Sequence, residues 1–293
     1  MTRLLIIDGH AFAYRAFHAI RELQSPSGEP TNAIFGFIKM VARMRTVIHP
    51  THLVVVWDGG LNADRLAALP EYKANRPGMP ADLEVQIDGI VEYLAAAGVA
   101  SYCQDGVEAD DYIASLARHA LAADMDVVIA SSDKDFMQLV QPGVGLLNPN
   151  DKTESVWAAD RVHEKTGVDP EQIVDWLSLI GDHVDNVAGV PGVGPKTATE
   201  LLKQFGSVDA LYRRLAEVKS ERVRNSLQAA EPAVRRNQSV IRLKDDLPCE
   251  FSPGTFAERS PDTGTLRALF QGWGFRTLLN ELNTVEMGQG ALI

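Results

Sequence analysis

The chain has 293 residues, 45% of them hydrophobic and 23% charged, and a formal net charge of −11. That is the composition of a folded globular protein, long enough for one large domain or a core with a smaller companion. No apolar run approaches the roughly 20 residues of a membrane-spanning helix. MTRLLIIDGH lacks the build of a signal peptide, and Cys103 and Cys249, the two cysteines, form no CxxC pair, which excludes a disulfide framework or a cysteine zinc site and fits a cytoplasmic protein without a membrane partner.

In chain order, LLII at 4–7, LVVV at 53–56 and VVIA at 127–130 are short apolar runs, each followed within one to three residues by an aspartate: Asp8, Asp58 and Asp133. Continuous apolar runs predict strands buried on both faces of a mostly parallel sheet. Helical patterns at 31–47, 81–97 and 109–122 lie between them, so the fold class is α/β. Sites in such sheets gather at the carboxyl ends of strands. The glycine- and proline-flanked segment 59–80 reads as flexible. After about residue 170 the pattern turns helical, with helices expected at 171–180, 196–204 and 208–215 and a weak strand at 239–243. Domains of 1–170 and 171–293 follow. Phe270, Trp273, Phe275, Leu278 and Leu279 predict a tail docked on the body, ahead of the closing GQGALI.

The acidic mean hides an asymmetry. From 187 to 244 there are eleven lysines and arginines against five acids. Charge alone favours a solvated helical surface for this segment; the alternative is a division of labour in which it contacts phosphate.

Nine carboxylates stand out: Asp8, Asp58, Glu108, Asp110, Asp111, Asp133, Asp135, Asp182 and Asp185. On a helix, residues three apart share a face, which would converge Glu108 with Asp111 and Asp182 with Asp185. On an extended segment, residues two apart do so, which suits Asp133 and Asp135. Any one motif is accounted for by a strand-end aspartate capping a loop or an acid-rich helix start. Together they favour a metal centre, because so many like charges need counter-ions. All-oxygen ligands select Mg²⁺ or Mn²⁺, and a set this large implies two or more ions acting on a phosphodiester. The seven histidines are scattered and read as structural, and no Walker loop, GxGxxG or GxSxG is present.

GVPGVGPKTA, at 189–198, reads as a glycine turn leading into a helix, its backbone N–H groups and Lys196 placed to hold phosphate. Arg65, Lys73 and Arg76, just past the Asp58 strand end, fit either a solvated loop or a clamp on a scissile phosphate. Tyr14 can stack a base and Arg15 can bind phosphate.

IIDGHAFAYRAFHA, TNAIFGF, YKANRP, GVEADD, SSDKDFMQLV and GDHVDNVAGVPGVGPKTA, in this order, resemble the bacterial 5′-nuclease family. Its members are the 5′–3′ exonucleases and flap endonucleases found as the N-terminal domain of DNA polymerase I and as stand-alone proteins. The resemblance implies a PIN-like core with a helical arch, at about 59–97 here, and a helix–three-turn–helix DNA-binding subdomain. It implies a first metal site of Asp8, Asp58, Glu108, Asp110 and Asp111, and a second of Asp133, Asp135, Asp182 and Asp185. Asp8 and Asp58, with Lys73 and Arg76 at the scissile phosphate, would carry catalysis. Gly189, Val190, Gly192, Gly194 and Lys196 match the DNA-gripping turn, where Val190 and Val193 would hold K⁺. Trp57 and Ala188 stand where the family pattern has phenylalanine and proline. The implied enzyme is a two-metal structure-specific nuclease of DNA replication and repair, a monomer near the nucleoid. It would act on 5′ flaps, overhangs, nicks or RNA–DNA hybrids, fused to or alongside a polymerase. The alternatives are a catalytically inactive DNA-binding protein of the same fold, which would not need nine acids, and a phosphatase using Asp8 as nucleophile, which leaves the glycine turn unexplained.

Overall fold

Strands β1 (Arg3–Asp8), β2 (His52–Trp57), β3 (Ala100–Cys103), β4 (Asp126–Ala130) and β5 (Val144–Leu147) form one parallel sheet in the order β3-β2-β1-β4-β5. This is a computed structural model, and it describes residues 2–249 and 251–286; the closing GQGALI lies outside them. The three apolar runs are the three central strands. The two outer strands are missed by sequence reading because ASYC and VGLL are four residues long.

The sheet is covered on both faces, and the two-residue period of a strand divides its side chains between them. Leu5, Ile7, Leu53, Val55, Val128 and Ala130 pack in one core, whereas Leu4, Ile6, Val54, Val56, Val127 and Ile129 pack in the other. The first core receives α1 (Gly9–Ala19), α2 (Asn32–Ile48) and, past the short α3 (Ala63–Ala68), α4 (Ala81–Ala96). The second receives α5 (Ala109–Ala122), α6 (Ala159–Thr166) and α7 (Ile173–Ile180), then the short strands β6 (Gly181–Asp182) and β7 (Val187–Ala188). It continues through α8 (Pro195–Phe205), α9 (Val208–Arg213) and α10 (Glu221–Ile241). The tail helices α11 (Thr263–Trp273) and α12 (Arg276–Glu286) return to the first core, with Phe270, Phe275 and Leu278 buried and Trp273 and Leu279 packed beside them.

Two expectations are corrected. Residues 239–241 are the last turn of the 21-residue helix α10, not a strand. Leu227, Val234, Asn237, Val240 and Ile241 are its buried positions, a helical stripe too long to show in a five-residue window. The segment expected to be flexible is tied down: Arg65, Leu69, Tyr72 and Lys73 are all buried.

Candidate functional site

The carboxyl ends of β1, β2 and β4 open on a cleft of about 600 Å³ lined by Asp8, Asp58, Asp110, Asp133 and Asp182, with Lys73, Arg76 and Lys134 among them. Asp8 and Asp133 also cap their own turns, whereas Asp58 reaches across to another element. Asp8 accepts the Ala11 N–H at 3.1 Å and the Ser131 hydroxyl at 2.8 Å. Asp58 accepts the Ala109 N–H at 2.9 Å, which locks the start of α5 against the end of β2. Asp133 accepts the Asp135 N–H at 2.9 Å and caps the 3₁₀ turn Lys134–Leu139.

Asp182 and Asp185 do converge, but not on a helix. Helix α7 ends at Ile180, and Asp182 lies in β6 with Asp185 in the turn to β7. That turn brings a carboxylate oxygen from each, together with one from Asp135, within 4.8 Å of one another. The ribbon needs its glycines. Gly181 has φ +78°, and a Cβ there would lie 2.4 Å from the Gly189 nitrogen; a Cβ on Gly189 would lie 2.3 Å from the Ile180 carbonyl. Ala188 pairs with Gly181, and its carbonyl accepts from buried Asn237 of α10 at 2.8 Å.

The electrostatics are those of crowded acids. Burial, and then the charge of Asp58, pushes the Asp8 carboxyl up to about 6. Burial and neighbouring aspartates raise Asp110, Asp133 and Asp135 above the usual carboxylate range, Asp110 and Asp135 well above it. Burial opposes ionisation of Glu108 too, but Lys73 and Arg65 outweigh it and hold that carboxyl low. Lys73 Nζ sits 2.5 Å from Glu108 and 3.8 Å from Asp110, Arg76 2.5 Å from Asp185, and Lys134 3.1 Å from Asp182. Asp135 Oδ1 is buried with no hydrogen-bond partner. An orphaned carboxylate oxygen beside two more carboxylates is a hard, all-oxygen donor set, and it fits a divalent cation.

Among the expected site residues, Glu108, Asp111, Arg65 and Arg15 do not line this cleft. Glu108, the extended N-cap of α5, and Asp111 in its first turn do converge, but on Arg65, which is 4% exposed. Its guanidinium makes a two-pronged bond to Asp111 at 2.6 and 2.8 Å, and donates to the Val240 and Arg242 carbonyls. Arg65 is therefore a buried clasp between α3, α5 and the end of α10, with Asp111 as its counter-charge. Asp110, one residue earlier and about 100° around the helix, is the one that lines the cleft. The same rotation separates Tyr14, which lines the cleft, from Arg15, which bonds Asn150 and lines a separate groove.

Sequence reasoning missed three residues. His10 lines the cleft and accepts the Asp58 N–H at 3.1 Å. Lys134 was hidden between two aspartates. Arg222 of α10 comes beside Gly192 of the glycine turn, and no spacing rule links positions thirty apart. In that turn Val190 N–H bonds the Leu179 carbonyl at 2.8 Å, and Val193 N–H bonds that of Val190 at 3.0 Å. Gly194 and Pro195 then start α8, with Lys196 exposed in its first turn.

Two family models match in succession: the 5′–3′ exonuclease N-terminal resolvase-like domain over residues 3–167, and the 5′–3′ exonuclease C-terminal SAM fold over 168–264. The chain belongs to the 5′–3′ exonuclease family. It is 38% identical over 285 residues to the 5′–3′ exonuclease of Aquifex aeolicus, covering 97% of this chain and 96% of that one. It is 35% identical over 284 residues to DNA polymerase I of Bacillus caldotenax, covering 96% of this chain but 32% of the polymerase. The fold is shared with a bacteriophage T5 flap endonuclease solved with DNA and metal ions, at TM-score 0.68 and 20% identity over 98% of both chains. This family member is a hydrolase, and it carries an acidic cluster of Asp135, Asp182 and Asp185. No described helix is long and apolar enough to cross a membrane.

Proposed function

We propose that this 5′–3′ exonuclease cuts DNA at 5′ flaps, overhangs and nicks, at a phosphodiester near the single-strand/duplex junction, as a Mg²⁺- or Mn²⁺-dependent enzyme. The observation that carries this reading is the buried, unpartnered Asp135 Oδ1 within the Asp135–Asp182–Asp185 group, whose Asp182 lines the cleft together with Asp8, Asp58 and Asp110. Asp135, Asp182 and Asp185 would hold one ion and Asp8, Asp58 and Asp110 another, with Asp133 interacting with both groups. Divalent ions there supply Lewis-acid stabilisation of the phosphate oxygens and activation of the attacking water.

The chain's own residues do the rest. Lys73 and Arg76 stand at the cleft as cations for the scissile phosphate. Glu108 holds Lys73 in place, and Tyr14 offers a stacking face beside Asp8. The turn Gly189–Val190–Gly192–Gly194, with exposed Lys196 and Arg222, grips the duplex backbone independently of sequence. Carbonyls of Val190 and Val193 are the candidate K⁺ ligands. RNA–DNA hybrids, a monomeric state, nucleoid association and cooperation with a polymerase belong to the same reading.

The test is a 5′-labelled flap substrate incubated with the protein in Mg²⁺ and in EDTA. Junction-proximal cleavage only in Mg²⁺ is expected. Tight flap binding without cleavage would favour the inactive DNA-binding alternative.

A further inference from the structure

Lys134 is a cation inside the cleft that the phosphate-clamping residues do not include. It sits between Asp133 and Asp135, its side chain is 36% exposed, and its Nζ bonds Asp182 Oδ1 at 3.1 Å. Asp182 also accepts the Val184 N–H at 2.9 Å through that same oxygen. Lys134 approaches from the β4 end of the cleft, whereas Lys73 and Arg76 come from the segment after α3. Among the described residues, Asp182 is its sole ion-pair partner. Its charge is therefore spent on a carboxylate that a divalent cation would also claim.

We propose that Lys134 is a further substrate-phosphate contact, held by Asp182 until that carboxylate engages a divalent cation and then free to bond a phosphate oxygen on the β4 side of the cleft. This rests on the metal reading above. The geometry supports it because a partly exposed lysine on a long, flexible aliphatic stem can swing to solvent, while Asp182, 4% exposed, stays in place. No bond forms or breaks; one ion pair is exchanged for another.

The consequence is a coupling with two signs. Lys134→Met removes the cation competing for Asp182, so Mn²⁺ should bind about fivefold more tightly, as for a partly exposed ion pair. The same change should weaken flap binding, but only when Mn²⁺ is present. The experiment measures Mn²⁺ binding by electron paramagnetic resonance. It also measures the salt dependence of binding to flap DNA with a non-cleavable linkage at the scissile position, with and without Mn²⁺. With Mn²⁺ the log–log salt slope of Lys134→Met should be shallower than that of the parent by about 0.9, the value of one phosphate contact. Without Mn²⁺ the two slopes should coincide, and Lys134→Arg should retain the parent slope throughout. Equal slopes in Mn²⁺, or a variant that binds Mn²⁺ no more tightly than the parent, overturns the proposal. Failure of the parent itself to bind Mn²⁺ is the separate result that would overturn the metal reading.

Discussion

Replacing Arg65 by alanine should cost stability rather than DNA affinity. The guanidinium neutralises two carboxylates that are each 1% exposed, Glu108 and Asp111, and satisfies two backbone carbonyls at the end of α10. Breaking a buried ion pair from one side leaves an uncompensated charge and costs about 3–5 kcal/mol. At about 2 °C per kcal/mol for a chain of this size, the melting temperature should fall by about 6–10 °C. Arg65→Lys keeps the charge but not the planar fork, so it should fall between parent and alanine. Pairing Arg65→Met with Asp111→Leu removes the orphaned Asp111 charge and should recover part of the loss, the Val240 and Arg242 carbonyls and the Asn62 and Lys244 donors staying unpaired. The assay is calorimetric melting of the three variants beside flap-DNA binding at a temperature where all are folded. A melting temperature within about 1 °C of the parent for Arg65→Ala, with a shallower salt slope for duplex binding, would refute the clasp and return Arg65 to the DNA interface.

Asp8→Asn should abolish cleavage yet stabilise the fold in EDTA. A carboxyl raised from 3.8 to about 6 in the folded state destabilises it once ionised. That penalty is absent below pH 3.8, grows between pH 3.8 and about 6, and is constant above that at up to about 3 kcal/mol. Melting curves at pH 4 and pH 7.5 check it: the variant should gain over the parent only at the higher pH. Mg²⁺ should stabilise the folded parent by about 2.7 kcal/mol at a hundred times its dissociation constant, seen as a higher melting temperature, and should do so less for Asp135→Asn. Gly189→Ala should lower stability by roughly 1–3 kcal/mol and weaken both cleavage and duplex binding, because its Cβ meets the Ile180 carbonyl at 2.3 Å; an unchanged melting temperature would contradict that packing. Lys196→Ala and Arg222→Ala should each make the duplex salt slope shallower by about 0.9, the value of one neutralised phosphate, with little change in single-turnover rate.

The sequence by itself carried the three central strands, the strand-end aspartates and the glycine turn. Each depends on local pattern: a β-branched run, an aspartate just past it, glycines where no side chain fits. It also identified the family, because six motifs in order leave little freedom. Spacing rules proved weaker for direction than for proximity. They put Glu108 and Asp111 on one face but not what that face meets, and they brought Asp182 and Asp185 together by the wrong local structure. Tertiary structure alone decided that Asp110 faces the cleft while Asp111 holds Arg65, and that Tyr14 and Arg15 part ways. It alone brought His10, Lys134 and Arg222 to their sites. The physical reason is that a helix turns about 100° per residue. Which side meets solvent, metal or a buried arginine is then set by elements distant in the chain, as Val240 and Arg242 are from Arg65.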